Sequence, residues 1–358
     1  MIYRKLGNSG LIVSALSLGT MQFGGKGLGN LGQKETDSMV RFAVDRGINF
    51  IDTADIYARG ESETLVGNAL KGIREDIVLA TKVRLPMSDK NFNNAGTTRV
   101  NIMREIDASL RRLKTDYVDL YQVHSWDSDT PLEETLRALD DVVRQGKVRY
   151  IGLSNYLAWQ AATALGLQER EHLMKYITAQ LYYSLVGRGV EHEWLSLADY
   201  HNIGILVWSP LAGGFLSGKY DREKPAPAGS RFAEAGRFIP FDTELGYRVL
   251  DAVRQVAQRH SASPAQVSIA WLLSRPMISS VIIAARSNDR LEENIRSAEL
   301  RLTPDDIELL DTASAERTPY PKWMVFQHDQ VEDFRAKVLH PERFEDGPPG
   351  PVLGGEKW

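Results

Sequence analysis

The sequence predicts an α/β protein folded as a single (β/α)8 barrel, a TIM barrel, with an N-terminal β-hairpin and an irregular C-terminal tail. Short β-rich apolar runs alternate with longer segments of helical period, eight times along the chain. Strands separated by helices pair in parallel, because only a crossover returns the chain to the same sheet edge. The 358 residues exceed the ~250 that such a barrel needs, and recognisable insertions account for the surplus.

The hairpin comes first: MIYRKLGNSGLIVSAL, residues 1–16, turns at Asn8-Ser9-Gly10, residue types that favour tight turns. Barrel strands are expected at 13–20, 49–55, 77–83, 117–124, 150–155, 176–184, 204–210 and 281–287. In 98–113, Val100, Met103, Ile106, Leu110 and Leu113 recur at helical spacing. Leu132, Leu136, Leu139 and Val143 do the same in 132–145, and Gly146 is placed to end that helix. Ser263-Pro264 and Thr303-Pro304 each read as an N-cap followed by proline at the first helical position, with Asp305 and Asp306 in the second helix's first turn. The Pro/Gly/Ala-rich stretch 224–238 reads as a rim loop before the last strand. The barrel, hairpin included, is expected to occupy 1–314 without an internal boundary. The tail, 315–358, ends irregularly, but PYPKWMVF (319–326) is aromatic enough to pack near the active-site rim or on a partner.

Apolar residues make up 43% and charged residues 25%, as in ordinary globular proteins. The 43 basic and 47 acidic side chains leave a net charge of −4 with no dense basic cluster, which argues against a nucleic-acid partner. No cysteine is present, which excludes disulfides, thiolate-held metals and a thiol nucleophile. The first residues lack an apolar signal core, and no run of ~18 apolar residues follows. The expectation is a cytoplasmic metabolic protein with no membrane partner; self-association as a homo-oligomer is left open.

In such barrels the loops after the C-terminal strand ends build the active site. The second strand gives Asp52 and then Tyr57, the third Lys82, the fourth His124 and the fifth Ser154-Asn155. The sixth carries Gln180, the seventh ends at Trp208-Ser209 and the eighth at Arg286-Ser287. Each alone has a structural explanation, as a cap, a rim charge or a half-buried ring. In combination they form a proton-transfer set. A phenol titrates near 10 in water, and a neighbouring lysine ammonium lowers that value. Asp52 then holds Lys82 charged, Tyr57 gives a proton to a carbonyl oxygen, and His124 orients that carbonyl. The set holds no nucleophile and needs no metal, so it points to hydride transfer. The segment GLGNLG (27–32) has the G-x-G-x-x-G form but does not follow directly on a strand, so it is read as a rim loop. The hydride donor's site is placed instead at the last four strands. Ser154, Asn155 and Gln180 suit a carboxamide, and Trp208 offers a flat face to a nicotinamide. The loop 209–220 with Lys219 suits a pyrophosphate, and Arg286 and Arg290 at a helix start near Asn288 suit a monophosphate, which favours NADPH.

Taken in order, GINFIDTADIY, LATKV, YVDLYQVHSWD, GKVRYIGLSNY, AQLYYSLVGRGVE, WSPLAGGFLSGKY and ARSNDRLEENI resemble the aldo-keto reductases over almost the whole chain. The YSL-x-x-R and WSPLAGG forms are similar to the branch that includes bacterial reductases and potassium-channel β subunits. The resemblance implies a tetrad of Asp52, Tyr57, Lys82 and His124, with Tyr57 as proton donor. It implies nicotinamide contacts from Ser154, Asn155, Gln180 and Trp208. Further NADPH/NADP+ contacts are implied for Thr20, Met21, Ser209, Pro210, Leu211, Ala212, Gly214, Lys219, Arg231, Ala284, Arg286, Arg290, Glu293 and Asn294. Ala284-Ala285 stands where the family often has Gly-Ala. The implied activity is reversible reduction of an aldehyde or ketone. A nucleotide-binding regulatory module of low turnover, and a sugar or alcohol dehydrogenase, are the alternatives. Substrate choice is expected to rest on rim residues, among them Trp126, Trp323 and Phe326, whose aromatic character favours ring-bearing carbonyls.

Overall fold

The computed structural model describes residues 1–25, 30–228, 230, 232–233, 236 and 239–329. The chain opens on an antiparallel hairpin, β1 (Tyr3–Lys5) and β2 (Ile12–Ser14). Eight strands then close a parallel barrel: β3 (Leu16–Gly19), β4 (Phe50–Asp52), β5 (Val78–Val83), β6 (Val118–Val123), β7 (Val148–Ser154), β8 (Tyr176–Tyr182), β9 (Gly204–Trp208) and β10 (Ile278–Ile283). The last pairs with the first, with Val281 opposite Leu16. Helices α1 (Gln33–Asp45), α2 (Glu61–Ala69), α3 (Arg99–Leu113), α4 (Leu132–Arg144), α5 (Ala158–Arg170) and α6 (Trp194–His201) supply crossovers. Two helices, α7 (Thr243–Arg259) and α8 (Pro264–Leu273), precede β10, and α9 (Asn288–Ile295), α10 (Pro304–Ala313) and α11 (Lys322–Asp329) follow it.

Capping follows the sequence signals. Ser263 accepts from the Gln266 N–H while the Gln266 side chain accepts from the Ser263 N–H. Thr303 and Asp306 repeat this box at the start of α10, and each box satisfies two otherwise orphaned donors.

The elements differ in detail from the sequence expectation. The stretch 13–20 divides, its first part forming the hairpin's second arm and only Leu16–Gly19 entering the barrel. Ser14 lies just before the break: its N–H donates to Asn49 Oδ1 and its hydroxyl to the Leu16 carbonyl, both at 2.7 Å. The last strand lies at Ile278–Ile283 rather than 281–287. Ser279 and Ser280 resemble loop residues, yet their hydroxyls donate to the Lys5 and Ser14 carbonyls under the hairpin. In α3, Val100 is 63% exposed and leaves the stripe, whereas Ile106 and Leu113 are buried, Met103 and Leu110 pack against the core, and Ile102 joins them.

The hairpin closes the barrel's N-terminal end. Leu6 is fully buried against the inward residues Val13, Phe50, Val78, Ala80, Leu120, Ile177 and Leu206. Gly7 is required there, since at φ +55° a Cβ would stand 2.0 Å from the Ile177 carbonyl oxygen. The larger core lies between strands and helices. In the tail, Lys322 Nζ donates to the Glu191 carbonyl, while Tyr320 and Val325 are exposed. The side chain of Phe326 and residues 330–358 lie outside the described residues, as do Arg231 and parts of 224–238.

Truncating the plug tests this account of the barrel floor. Leu6→Ala is expected to lose about 2–5 kcal/mol of stability, read as an earlier denaturant midpoint with an unchanged far-ultraviolet spectrum in water. An unchanged midpoint would place Leu6 outside the core.

Candidate active site

Asp52 closes β4 at 2% exposure, and Lys82 in β5 is wholly buried. Lys82 Nζ lies 2.5 Å from Asp52 Oδ2, 2.8 Å from the Thr53 carbonyl oxygen and 3.4 Å from the Tyr57 hydroxyl. An ammonium has three hydrogens, and these partners use all three. Asp52 Oδ1 accepts from Gln180 Nε2 at 2.8 Å and Gln122 Nε2 at 3.1 Å. Strand register makes this meeting possible, placing Gln122 opposite Lys82 and Gln180 opposite Ser154. Gln122 was not singled out from the sequence; its signal is its place two residues before His124 on an inward-alternating strand.

Tyr57 is delivered by a tight turn after β4. Thr53 N–H donates to the Ala80 carbonyl and Asp55 N–H to that of Lys82, which extends the chain along β5. Ala58, Arg59 and Gly60 then take φ of +48°, +53° and +91°, reversing the chain into α2. The two non-glycine residues in the left-handed region cost roughly 1–2 kcal/mol each. Tyr57's ring meets His124 edge-on, with centroids 5.9 Å apart. Because Lys82 donates to its oxygen, the phenol keeps its own hydrogen for another acceptor.

The electrostatics modify the sequence expectation for Tyr57. Burial is the largest influence and raises the phenol above its ordinary value; Lys82 pulls it down, but not enough to reverse the direction. Lys82 itself is raised, because Asp52 and Tyr57 outweigh its burial. His124 is pushed down to about 3 by burial and by the charges of Lys82 and Arg84. A protonated phenol, an ammonium and a neutral imidazole therefore stand together at neutral pH.

Behind the turn lies a buried carboxylate that sequence reasoning missed. Asp55 is wholly buried; its Oδ1 accepts from the Ile56 N–H at 2.6 Å and its Oδ2 has no partner. Burial, then Glu63 and Glu105, raise its carboxyl well above the ordinary range. Its bond to the Ile56 N–H ties Asp55 to the start of the turn that carries Tyr57.

A cavity of about 630 Å³ opens beside the tetrad, within the range of small-molecule and cofactor sites. Thr20, Met21, Asp52, Tyr57, Ser154, Asn155, Gln180 and Trp208 line its inner part. Ser209, Pro210, Leu211, Gly214, Lys219, Ala284, Arg286, Arg290, Glu293 and Asn294 line the rest. Ala212 does not: it is fully buried, and Gly213 and Gly214 form the wall in its place. Left-handed φ at Ser209, Ala212, Gly213 and Gly214 coils the loop tightly enough to turn the alanine methyl inward. Lys82, His124 and Trp126 are not on the cavity wall, and Arg231 lies outside the described residues. Further wall residues that the sequence did not suggest are Gln22, Ser217, Ala265, Ile269 and Ile282. Ala265, Ile269 and Ile282 come from helix and strand interiors, Gln22 from a turn, and Ser217 from the 209–220 loop.

Internal bonds stiffen the inner wall. Ser154 Oγ donates to the Gln180 carbonyl, Asn155 Nδ2 to that of His124, and Trp208 Nε1 to Asn155 Oδ1. At the far end, Ser287 caps α9, Arg290 pairs with Glu293 at 2.7 Å, and Asn294 Nδ2 reaches the Ala284 carbonyl. Among the described residues no three metal-ligating side chains gather, and no helix is long and apolar enough to cross a membrane.

With that geometry in place, comparison with known proteins is informative. Residues 15–315 match the model of the Aldo/keto reductase family. The chain is 34% identical to the versiconal hemiacetal acetate reductase of Aspergillus parasiticus, over 90% of this chain and 99% of that protein. It is 37% identical to a probable voltage-gated potassium channel subunit beta of Arabidopsis thaliana, over 85% of this chain and 94% of that one. It is 35% identical to protein tas of Escherichia coli, over 85% and 95%.

A neutral His124 is directly observable. Of the seven histidines, the one whose ring resonances vanish in His124→Gln is expected to hold a constant imidazole shift from pH 9 down to pH 5. A titration midpoint near 6.5 would contradict the site's electrostatics.

Proposed function

The chain belongs to the aldo/keto reductase family, and on that premise we propose that it is an NADPH-dependent oxidoreductase that reversibly reduces an aldehyde or ketone, with Tyr57 as general acid. Family membership supports oxidoreductase activity with a nicotinamide coenzyme; the coenzyme, the acid and the substrate class are this reading's own. The observation that carries it is the convergence of Tyr57, Lys82, Asp52 and His124, of which Tyr57 and Asp52 line a large cleft.

The bound coenzyme supplies the hydride that reaches the carbonyl carbon. Tyr57 Oη gives its proton to the carbonyl oxygen as negative charge develops there. The phenolate left behind faces Lys82 Nζ at 3.4 Å, and solvent restores the proton. Asp52 keeps Lys82 charged through the cycle. His124, neutral, offers a ring N–H to the same oxygen and fixes its direction. Buried side chains exclude water beneath these groups, so the charges act at low local dielectric.

The cleft fits a dinucleotide. Trp208 gives a flat wall beside the tetrad, Asn155 and Gln180 give amide groups there, and the coiled 209–214 loop with Lys219 forms the middle. Arg286 and Arg290 stand at the N-terminus of α9, where the helix dipole and guanidiniums favour a phosphate. Arg290 is highly exposed even while paired with Glu293, so a phosphate can capture it. This end supports NADPH over NADH. Some relatives are named as potassium-channel β subunits, which keeps a regulatory nucleotide-binding role as a second reading. The complete tetrad favours turnover.

Tyr57→Phe is expected to lower kcat by about 10²–10⁴-fold while NADPH still changes its fluorescence on binding. Turnover at the parent rate would overturn the assignment of the acid. Replacing Arg286 and Arg290 together by Ala is expected to raise KM for NADPH tenfold or more, about 1.4 kcal/mol, with little change for NADH. A parent enzyme that prefers NADH would remove the phosphate role.

A further inference from the structure

Arg84 follows the site lysine by two residues and takes no part in the chemistry described above. Its backbone is unusual, with φ of +135° at a residue that has a side chain. That conformation is costly and persists where surrounding structure enforces it. Its carbonyl accepts from the Gly96 N–H at 2.7 Å, which anchors the strand end. Its side chain is half-buried and makes no ion pair among the described residues, and its Nε is buried without a hydrogen-bond partner.

Barrel register locates the residue. Lys82 stands opposite Gln122 and Val83 opposite Val123, and the His124 N–H donates to the Val83 carbonyl at 2.9 Å. The next positions along the two strands are Arg84 and His124, one layer above Lys82 and Gln122. Buried His124 Nδ1 also lacks a partner. Arg84 Nε thus stands as a buried donor without an acceptor, and His124 Nδ1 as a buried nitrogen without a partner, an expensive arrangement unless a ligand completes it.

The neighbouring acids are committed elsewhere. The Asp127 carboxylate accepts from the Thr97 N–H and hydroxyl, the Thr130 hydroxyl and the Asp129 N–H. Asp89 pairs with Arg59. Beside Arg84 is an aromatic wall. Its charge acts on Tyr156, whose ring meets Trp126 edge-on at 5.1 Å, and Trp126 lies 6.0 Å from the 58% exposed Trp159.

Resting on the reductase reading above, we propose that Arg84 is a specificity residue that binds a carboxylate on the substrate, so that the substrate class is a ring-bearing aldehyde or ketone with an anionic carboxylate arm. The guanidinium fork matches a carboxylate in a bidentate pair, the aromatic wall covers the ring, and the carbonyl faces Tyr57 and His124.

The test compares 4-carboxybenzaldehyde with neutral 4-nitrobenzaldehyde, using NADPH and the full-length parent, Arg84→Ala, Arg84→Gln and Arg84→Lys. The ratio of kcat/KM for the carboxylate over the neutral aldehyde is expected to fall at least tenfold in Arg84→Ala and Arg84→Gln, mainly through KM, and to be partly kept in Arg84→Lys. Parallel loss for both aldehydes, or a ratio changed less than twofold, overturns the proposal. If the parent reduces neither aldehyde, the reductase reading fails instead, and calorimetric titration with 4-(hydroxymethyl)benzoate decides the role of Arg84. Binding at least tenfold weaker in Arg84→Gln supports it; no binding, or equal binding to both proteins, overturns it.

Discussion

The barrel mouth depends on one buried ion pair, Lys82 with Asp52. Removing two charges from water costs several kcal/mol each, and the pair is tolerable only when every remaining donor and acceptor is used. That condition is met from four strands' worth of chain. Thr53 and Tyr57 take the other ammonium hydrogens, and Gln122 and Gln180 donate to the carboxylate. The longest of these bonds is the one to the Tyr57 hydroxyl. The ammonium is therefore held firmly by the barrel and loosely by the phenol, as suits a group that must tolerate a change of charge on its neighbour.

The turn that presents Tyr57 is the costlier half of the arrangement. Two left-handed non-glycine residues and a buried acid with one unpartnered oxygen lie within four residues of the phenol. Neither feature strengthens the fold, and both fix the ring relative to β5. The hairpin at the other end works in the opposite sense, filling the barrel floor with apolar side chains and few polar demands. Stability is concentrated at the bottom of the barrel and strain at the top.

Much of this was legible in the sequence because it is periodic or punctuated. Alternation of strands and helices gave the closed barrel, and Ser263-Pro264 and Thr303-Pro304 announced two capped helices that the structure contains. Asp52, Tyr57 and Lys82 stood out as ionisable groups at strand ends, and the fold brings them together. Tertiary facts were less visible. Ser279 and Ser280 fall outside the expected last strand, yet their hydroxyls find partners only once hairpin and barrel have met. Val100 fitted a helical stripe whose other four members pack on the core, yet is itself exposed. The direction of the Tyr57 shift was misjudged because a neighbouring charge can be inferred from spacing, whereas depth of burial cannot. Asp55 and Gln122 were passed over for the same reason: a polar residue's importance here comes from what surrounds it in space.

The central claim is that Lys82 pulls the ionisation of Tyr57 down against the rise that burial imposes. It is tested most directly by following the Cζ resonance of Tyr57 in protein labelled with ¹³C-tyrosine, assigned by its loss in Tyr57→Phe, in the parent and in Lys82→Met. The account predicts that the phenol ionises at a higher pH, or not within the stable range, once the ammonium is gone. An identical titration in the two proteins would contradict it.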